Sequence, residues 1–365
     1  MALLFMDSFD HYVTADFIKK WQVPGTQGPP TISVGTGRHG SNAYRANATG
    51  NAGGSAVSRW MVKALPASGN VFIAGFSFTA VTLPFSGLKI GTTYTPNGND
   101  SNSLISLRVA GIHQVWFRIN TNGSISVLRG STILGTTTNV MTFGVSHHIQ
   151  VKVFIDPAVG TVDLLVNGLS WLSLTAQNTR NAATVGWDDF LIGGITSANT
   201  AVGEWDFDDL WVCDGSGAAP WNDFLGDCRC DVRVPTAEGA SSAWTPLSGT
   251  DNALMVDEAQ ENGDTDYNAT NTVGAVDTFV TQDAPVVGGV VLGVQHNLSM
   301  RKVDAGVCTL AHVIRHSGVD YVGAAFAPSV AYNFATQMAQ VNPGTGAQWT
   351  EAGFNAAEFG YKRVS

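Results

Sequence analysis

The stretch Ile149-Gln150-Val151-Lys152-Val153-Phe154-Ile155 alternates β-branched and other residues with a period of two. On an extended strand its four β-branched residues lie on one face, and the polar residues lie on the other. A turn containing Pro and Gly over residues 156–160 leads to a second run, Val162-Asp163-Leu164-Leu165-Val166, which ends at Asn167-Gly168. Proline presets φ and glycine accepts a left-handed conformation, so the sequence predicts a β-hairpin here.

The same alternation recurs along the first part of the chain. Further strands are predicted at residues 71–78, 104–109, 115–119, 124–127, 189–192 and 206–212. The chain contains 41 Gly, and only 13% of its 365 residues are charged, a composition that disfavours a helical bundle. Short strands separated by turn signals every eight to twelve residues or so are typical of an antiparallel sandwich. The predicted fold class is therefore all-β.

The length of the chain is typical of about two domains. Small residues and a proline at 214–220 follow a run of strands and mark a boundary. The predicted organisation is a jelly-roll domain, a connector and a C-terminal β-sandwich domain, over residues 1–215, 216–227 and 228–365.

Two local expectations concern the chain beyond this boundary. Residues 221–227 include Trp221, so we expect them to pack onto one domain instead of extending into solvent. In the second domain, residues 290–301 and 306–315 are predicted to pair as a hairpin around a turn at 302–305.

Charge and cysteine content exclude several classes of function. The chain has 19 basic and 29 acidic residues and no Lys/Arg run, so nucleic acid is not an expected partner. Four cysteines are too few for a disulfide scaffold, and Cys228-x-Cys230 lacks the second pair of a zinc site. We expect buried free thiols, no metal and no cofactor.

The N-terminal residues predict no targeting signal. The apolar run 1–6 is short and carries no basic region before Asp7, as a signal peptide would. No stretch approaches the roughly 18 apolar residues of a membrane span. Synthesis in a cytoplasm and no membrane partner are expected.

Six carboxylates without a neighbouring Lys or Arg occupy residues 251–266, at Asp251, Asp257, Glu258, Glu261, Asp264 and Asp266. Calcium needs six to eight or so oxygen ligands, and Asp264-x-Asp266 lacks the rest of an EF-hand loop. A solvated loop, or one that docks on a basic partner surface, is favoured, and calcium binding is left open.

Several motifs in the first half resemble the laminin-G or concanavalin A-like jelly roll. They are the opening Asp7-Ser8-Phe9-Asp10, the strand at 147–151 leading to Asp163-Leu164-Leu165-Val166-Asn167-Gly168, and the closing Phe207-Asp208-Asp209-Leu210-Trp211-Val212. The resemblance implies that the first strand lies near the last. Such sandwiches host many functions, so it implies fold more than activity.

The second half is similar to virion proteins of tailed bacteriophages. The motifs include Pro235-Thr236-Ala237, Trp244-Thr245-Pro246, Gly263-Asp264-Thr265-Asp266-Tyr267, Thr350-Glu351-Ala352-Gly353 and Ala357-Glu358-Phe359-Gly360. This resemblance implies a jelly roll followed by a β domain that serves in fibres, collars or decoration.

Carbohydrate chemistry is the main alternative. In concanavalin A-like glycanases an acidic strand carries Glu-x-Asp-x-x-Glu, and retaining glycosidases need two carboxylates about 5 Å apart. Here Glu204-x-Asp206 is followed by Asp208-Asp209, so the last Glu is missing. No residue is therefore predicted to be catalytic.

Tryptophan could also serve a glycan. Trp116 and Trp187 fall in or beside predicted strands, where they could stack on a sugar or fill the core, and the core is favoured. A glycan-binding site would use Glu204, Asp206, Trp116 and Trp187.

The predicted function is a non-enzymatic structural component of a tailed phage virion. A surface poor in charge is easily desolvated, because burying an unpaired charge is costly. We expect a homo-oligomer, a trimer, attached to other virion proteins of the head, neck or tail. A host-glycan-binding module is the first alternative, and a glycan hydrolase using Glu204 and Asp206 is the second.

Overall fold

The computed structural model describes residues 2–23, 31–48, 60–82, 85–88, 102–194 and 203–365. The chain divides into two compact units, Met1–Cys230 and Asp231–Ser365.

The first unit contains one short helix, α1 (Phe17–Lys20), and fourteen strands in its described ranges. They are β1 (Leu3–Asp7), β2 (Thr31–Ser33), β3 (Ala43–Ala48), β4 (Met61–Ser68), β5 (Val71–Ala80), β6 (Ser103–Val109), β7 (Ile112–Ile119), β8 (Ile125–Arg129), β9 (Thr132–Thr136), β10 (Ser146–Phe154), β11 (Gly160–Val166), β12 (Leu169–Gln177), β13 (Trp187–Ile192) and β14 (Gly203–Cys213).

These strands form two antiparallel sheets. The larger has the order β12-β11-β10-β5-β14-β3-β2, with β1 also paired to β14, and the smaller has the order β4-β13-β6-β7-β8-β9. The first strand pairs with the last, Met6 opposite Trp211. The first unit is thus an antiparallel sandwich of two sheets in which the first strand pairs with the last, and the predicted all-β fold class is confirmed.

Aromatic side chains fill the space between the two sheets. On β5, Phe72 packs edge-on against Trp187 of the smaller sheet, with ring centroids 4.8 Å apart. Six residues further along β5, Phe78 packs against Phe207 of the neighbouring strand β14, with ring centroids 5.3 Å apart. All four rings are buried. Alternation along each strand puts these side chains in the core and their neighbours on the outer face.

The predicted hairpin is β10 paired with β11, with Val151 opposite Leu164. The chain then turns through Asn167 and Gly168, whose φ values are 51° and 76°. Positive φ at both central residues is the geometry of a type I′ turn, which matches the twist of the flanking strands. The turn leads into β12, a strand that the sequence analysis did not anticipate.

Residues 216–230 belong to the first unit and lie on the outer face of its larger sheet. The backbone N–H of Gly226 donates to Oε1 of Gln150 at 2.9 Å, and Lys152 pairs with Asp223 at 3.0 Å. Trp221 is buried. The stretch predicted as a connector, 216–227, therefore contacts β10, and the division between the units falls after Cys230.

The second unit contains a five-residue helix, α2 (Glu351–Asn355), and nine strands. They are β15 (Pro235–Ser242), β16 (Thr245–Pro246), β17 (Asn268–Ala269), β18 (Val276–Thr281), β19 (Val294–Met300), β20 (Leu310–His316), β21 (Val319–Val322), β22 (Asn333–Ala339) and β23 (Glu358–Arg363). Five form a sheet in the order β15-β18-β23-β20-β21, and β16-β17 and β19-β22 form two-stranded ribbons.

The hairpin expected between residues 290–301 and 306–315 is wrong. β19 pairs with β22, Asn297 opposite Thr336, and β20 pairs with β21 and β23. Ser317 and Gly318 have φ values of 52° and 80°, which allow a two-residue turn directly after β20. The strand that follows this turn, β21, therefore pairs with β20.

The second unit has a small core. One cluster of its buried side chains comprises Ile314, Trp349, Phe354, Ala357 and Phe359, with Val294 and Ala339 of the β19-β22 ribbon packed against it. The ribbon thus covers part of the five-stranded sheet.

Both α-helices are four or five residues long. Within the described ranges, no helix combines the length and hydropathy needed to cross a membrane.

Candidate functional site

The acidic strand β14 presents its carboxylates on the outer face of the larger sheet. Trp205 and Phe207 point into the core, where they pack against Phe78. Alternation therefore puts Glu204 and Asp206 on the opposite face, together with Asp208. The shared face anticipated from the sequence is present.

Arg45 lies directly opposite Asp206, on the neighbouring strand β3. Its Nε and Nη2 donate to the two oxygens of Asp206 at 2.7 and 2.8 Å. Its Nη1 lies 3.3 Å from Oε2 of Glu204. The side chains of Arg45, Glu204 and Asp206 are 18%, 23% and 5% exposed. We call these three residues the Arg45 trio.

The geometry of the Arg45 trio limits its chemistry. A retaining glycosidase needs one carboxylate free to attack the sugar and a second carboxyl to donate a proton. Both oxygens of Asp206 are occupied by one guanidinium, and Glu204 binds the same group. The trio can instead donate and accept hydrogen bonds at its exposed edge, as groups that recognise sugar hydroxyls do.

A second polar row crosses three adjacent strands of the same face. His148 on β10 lies opposite Ser77 on β5, and Ser77 lies opposite Asp208 on β14. The Asp208 carboxylate accepts from the backbone N–H of Arg38 and from the Ser41 hydroxyl, both at 2.7 Å. Burial and the neighbouring Asp209 carboxylate raise the pKa of Asp208 well above its usual range.

Residues 216–230 cover this row. Arg38 forms a two-point ion pair with Asp227, with Nη2 2.7 Å from Oδ2. The same carboxylate lies 4.0 Å from Nδ1 of His148. Burial lowers the pKa of His148, although the Asp227 carboxylate opposes the shift. His148, Ser77 and Asp208 are all buried, so the row does not form an open cleft.

The two candidate tryptophans lie in the packed interior. The indole N–H of Trp116 donates to the Gly130 carbonyl, and that of Trp187 donates to the Val71 carbonyl, both at 2.8 Å. Each ring is less than 5% exposed. The core interpretation favoured by the sequence fits this placement, and neither ring offers a face to a sugar.

Arg45 was not among the site residues predicted from the sequence. The sequence feature that could have indicated it is the run Ala43-Tyr44-Arg45-Ala46, in which Arg45 is the one charged residue between buried neighbours. Alternation shows that Arg45 faces outward, but only the pairing of β3 with β14 brings it to Asp206.

Hydrogen-bond donors hold part of the acidic segment 251–266. Asp264 binds Arg301 at 2.7 Å and the Tyr332 hydroxyl at 2.9 Å, and Glu261 binds the Ser299 hydroxyl. Among the residues that the structure describes, no group of three or more His, Cys, Asp or Glu side chains has the arrangement of a metal site.

All four cysteines are free thiols. Burial raises the pKa of Cys213 and of Cys230, and the acidic residues nearby add to the shift. Thiols held protonated in this way are poor nucleophiles and poor metal ligands.

No protein-family model matches this sequence, and no curated protein sequence matches it either. Similar solved structures include alginate lyase Aly36B, with 13% identity and a TM-score of 0.37 over 57% of this chain and 95% of the other. The catalytic domain of a glycoside hydrolase family 131 protein from Coprinopsis cinerea is 13% identical, with a TM-score of 0.40 over 62% of this chain and 99% of the other. Lectin UEA-II complexed with galactose is 12% identical, with a TM-score of 0.36 over 57% and 98%. All three TM-scores are 0.40 or lower, and likeness at this level does not distinguish binding from catalysis.

Proposed function

We propose that this chain is a non-enzymatic structural subunit that assembles into a homo-oligomer, a trimer, through its second unit. The observation that carries the proposal is the set of large apolar side chains that the second unit leaves in solvent. Val287 and Val307 are 90% and 87% exposed. Others at least 45% exposed are Leu247, Leu254, Val273, Val286, Val290, Val303, Val319, Val322 and Val330.

The strands of the second unit lead to the same conclusion. None of the residues of β15, β19, β21 or β22 is fully buried. In the first unit the same holds for β2, β9 and β12, whereas most residues of the central strands β5 and β14 are buried. Exposed apolar side chains together with unpaired strand edges are typical of surfaces that other chains cover. A second copy is the simplest partner, because every copy brings the same surfaces.

The oligomer is tested by light scattering coupled to gel filtration on the full chain at micromolar concentration. We expect a trimer, and a shift towards monomer in the double variant V287D/V307D. The matched control is I18D/V34D, which places the same charges on exposed apolar positions of the first unit and should leave the trimer intact. A monomeric wild type would overturn the proposal.

We place this oligomer in the virion of a tailed phage, as a fibre, collar or decoration subunit attached to other virion proteins. Support comes from the motifs of the second half and from the low charge of the chain. The identity of the flanking genes tests this placement. Capsid, portal or tail genes are expected on either side, and metabolic genes would contradict it.

A host-glycan-binding role is the second candidate, and the partly open Arg45 trio favours it. A glycan array with the wild type and with R45A tests this role. Dose-dependent binding that is lost in R45A but kept in R108A, which removes a similar ion pair on the smaller sheet, would support it. Polysaccharide cleavage abolished in E204Q would instead establish the hydrolase alternative, which we do not expect.

A further inference from the structure

A lysine and an aspartate meet in the interior of the first unit. Lys20 is the last residue of α1, and Asp7 is the last residue of β1. The Lys20 ammonium nitrogen, Nζ, lies 3.2 Å from Oδ2 of Asp7, and the two side chains are 1% and 0% exposed. The pair is therefore shielded from water.

The groups around Asp7 bind its two oxygens differently. Oδ2 accepts from the Tyr12 hydroxyl at 2.9 Å and from the Trp21 indole N–H at 2.8 Å. Oδ1 accepts from the backbone N–H of Phe9 at 3.0 Å. One oxygen thus faces side-chain donors and the amine, and the other faces a main-chain donor.

On the other side of the pair, Nε2 of His11 lies 3.0 Å from Nζ of Lys20. Burial and the nearby Lys20 charge lower the pKa of His11 to about 3, so its imidazole is uncharged at neutral pH. The ring of Phe5 lies 5.2 Å from the same nitrogen. An amine, a neutral base and a carboxyl group are therefore in contact in a dry site.

We propose that Lys20 and Asp7 condense into an intramolecular isopeptide bond. Nζ of Lys20 attacks Cγ of Asp7, a C–N bond forms, the Cγ–Oδ2 bond breaks, and one water molecule leaves. The overall change, from ammonium and carboxylate to amide and water, balances without oxidant, reductant or cofactor.

The surrounding groups match the needs of this step. One proton of the ammonium passes to Oδ2 before the attack; His11 relays the second, which Nζ loses as the C–N bond forms, to the same oxygen, which leaves as water, and the Phe9 N–H stabilises the charge that develops on Oδ1. Tyr12 and Trp21 bind the departing Oδ2. Nζ is held 3.2 Å from an oxygen of the group that it attacks. Such fixed proximity gives effective concentrations of about 10⁵–10⁸ M in well-oriented cases.

The charge state of the pair is compatible with the reaction. Burial lowers the pKa of Lys20, although Asp7 opposes the shift. Burial alone would raise the pKa of Asp7, but Lys20, His11 and the hydrogen bonds hold it below its usual value. The resting pair is ionic. Transfer of one proton gives the neutral amine and carboxyl group that react, and a low dielectric reduces the cost of that transfer.

A neighbouring pair provides an internal contrast. Lys19 lies 2.9 Å from Asp16, closer than the Lys20–Asp7 pair, but the Lys19 side chain is 23% exposed, against 1% for Lys20. Water solvates that pair and keeps it ionic, so no condensation is expected there. Burial, and not distance, distinguishes the two lysines.

Mass spectrometry of the denatured full-length chain tests the proposal. The wild type should be lighter than its sequence mass by one water molecule, and a proteolytic digest should contain a peptide pair joined through Asp7 and Lys20. K20R and D7A should show the full mass, K19R should keep the loss, and H11A should lose water more slowly.

Two results would overturn the proposal. One is a folded wild type with its full sequence mass. The other is a water loss that persists in K20R, since a succinimide at Asp214-Gly215 would produce the same mass change without Lys20. The first of these results is measured on the wild type, so it does not depend on the stability of any variant.

Discussion

Replacing Arg45 by alanine leaves the Asp206 carboxylate nearly buried without its partner. Hydrogen bonds to charged groups contribute about 1.5–3 kcal/mol, and removing one partner of a fully buried pair costs about 3–5 kcal/mol. The Arg45 trio is not fully buried, since Arg45 is 18% and Asp206 5% exposed. Solvent screening therefore reduces the expected loss to about 2–3 kcal/mol.

The double variant R45A/D206A separates the free energy of the ion pair from that of side-chain packing. In D206A, Arg45 keeps its contact with Glu204, so we expect a loss of only about 1–2 kcal/mol. The double variant should be more stable than the sum of the single losses predicts, by about 1–2 kcal/mol, because no carboxylate of Asp206 remains unpaired. The same cycle on Arg108 and Asp189, a two-point pair at 2.6 and 2.9 Å on the smaller sheet, is the matched control.

Urea unfolding followed by tryptophan fluorescence measures these energies. Eight of the ten tryptophans fall within residues 1–230, so the signal reports mainly on the first unit. If the free energies in the Arg45 cycle add to within about 0.5 kcal/mol, Arg45 and Asp206 do not stabilise each other, because independent sites behave in that way.

Three further outcomes are expected. In G75A the new Cβ would overlap the indole ring of Trp211, so the urea midpoint should fall by the equivalent of about 1–3 kcal/mol, whereas G69A, with open space around it, should change little. Burial lowers the pKa of His312 from 6.5 to about 4. The unfolded chain therefore binds a proton at this residue more readily than the folded chain, so the free energy of unfolding is at its full value above pH 6.5 and decreases as the pH falls towards 4. Thermal unfolding of the second unit should therefore lose about 3 kcal/mol over that range, and H312F should flatten the slope; an unchanged slope would contradict this. Burial, with nearby carboxylates, raises the pKa of Cys228 to about 12, so this thiol should react slowly with an aromatic disulfide reagent in the native protein and rapidly after denaturation.

Local chemistry made part of the fold predictable. Alternation in residues 149–155 and 162–166 predicted which side chains face the core, and the observed register pairs Val151 with Leu164. Alternation also predicted that Glu204 and Asp206 lie on one face of their strand, β14. These features depend only on the two-residue period of a strand and on the conformational preferences of turn residues.

Long-range pairing could not be predicted in this way. The sequence near β19 indicates a strand but not its partner, β22, which lies beyond β20 and β21 in the chain. For the same reason the partner of Asp206 was not anticipated, because Arg45 is 161 residues away. Alternation defines a face, whereas the identity of the neighbouring strand depends on how the whole sheet is ordered.

The position of residues 216–230 has a practical consequence for anyone who isolates the jelly roll. A recombinant fragment ending at residue 215 would lose Asp227, the partner of Arg38, and the N–H that Gln150 accepts. It would also expose to solvent His148 and Asp208, which are buried in the intact chain. Crystallisation or binding trials on that half should therefore retain the polypeptide through Cys230, where the first compact unit ends.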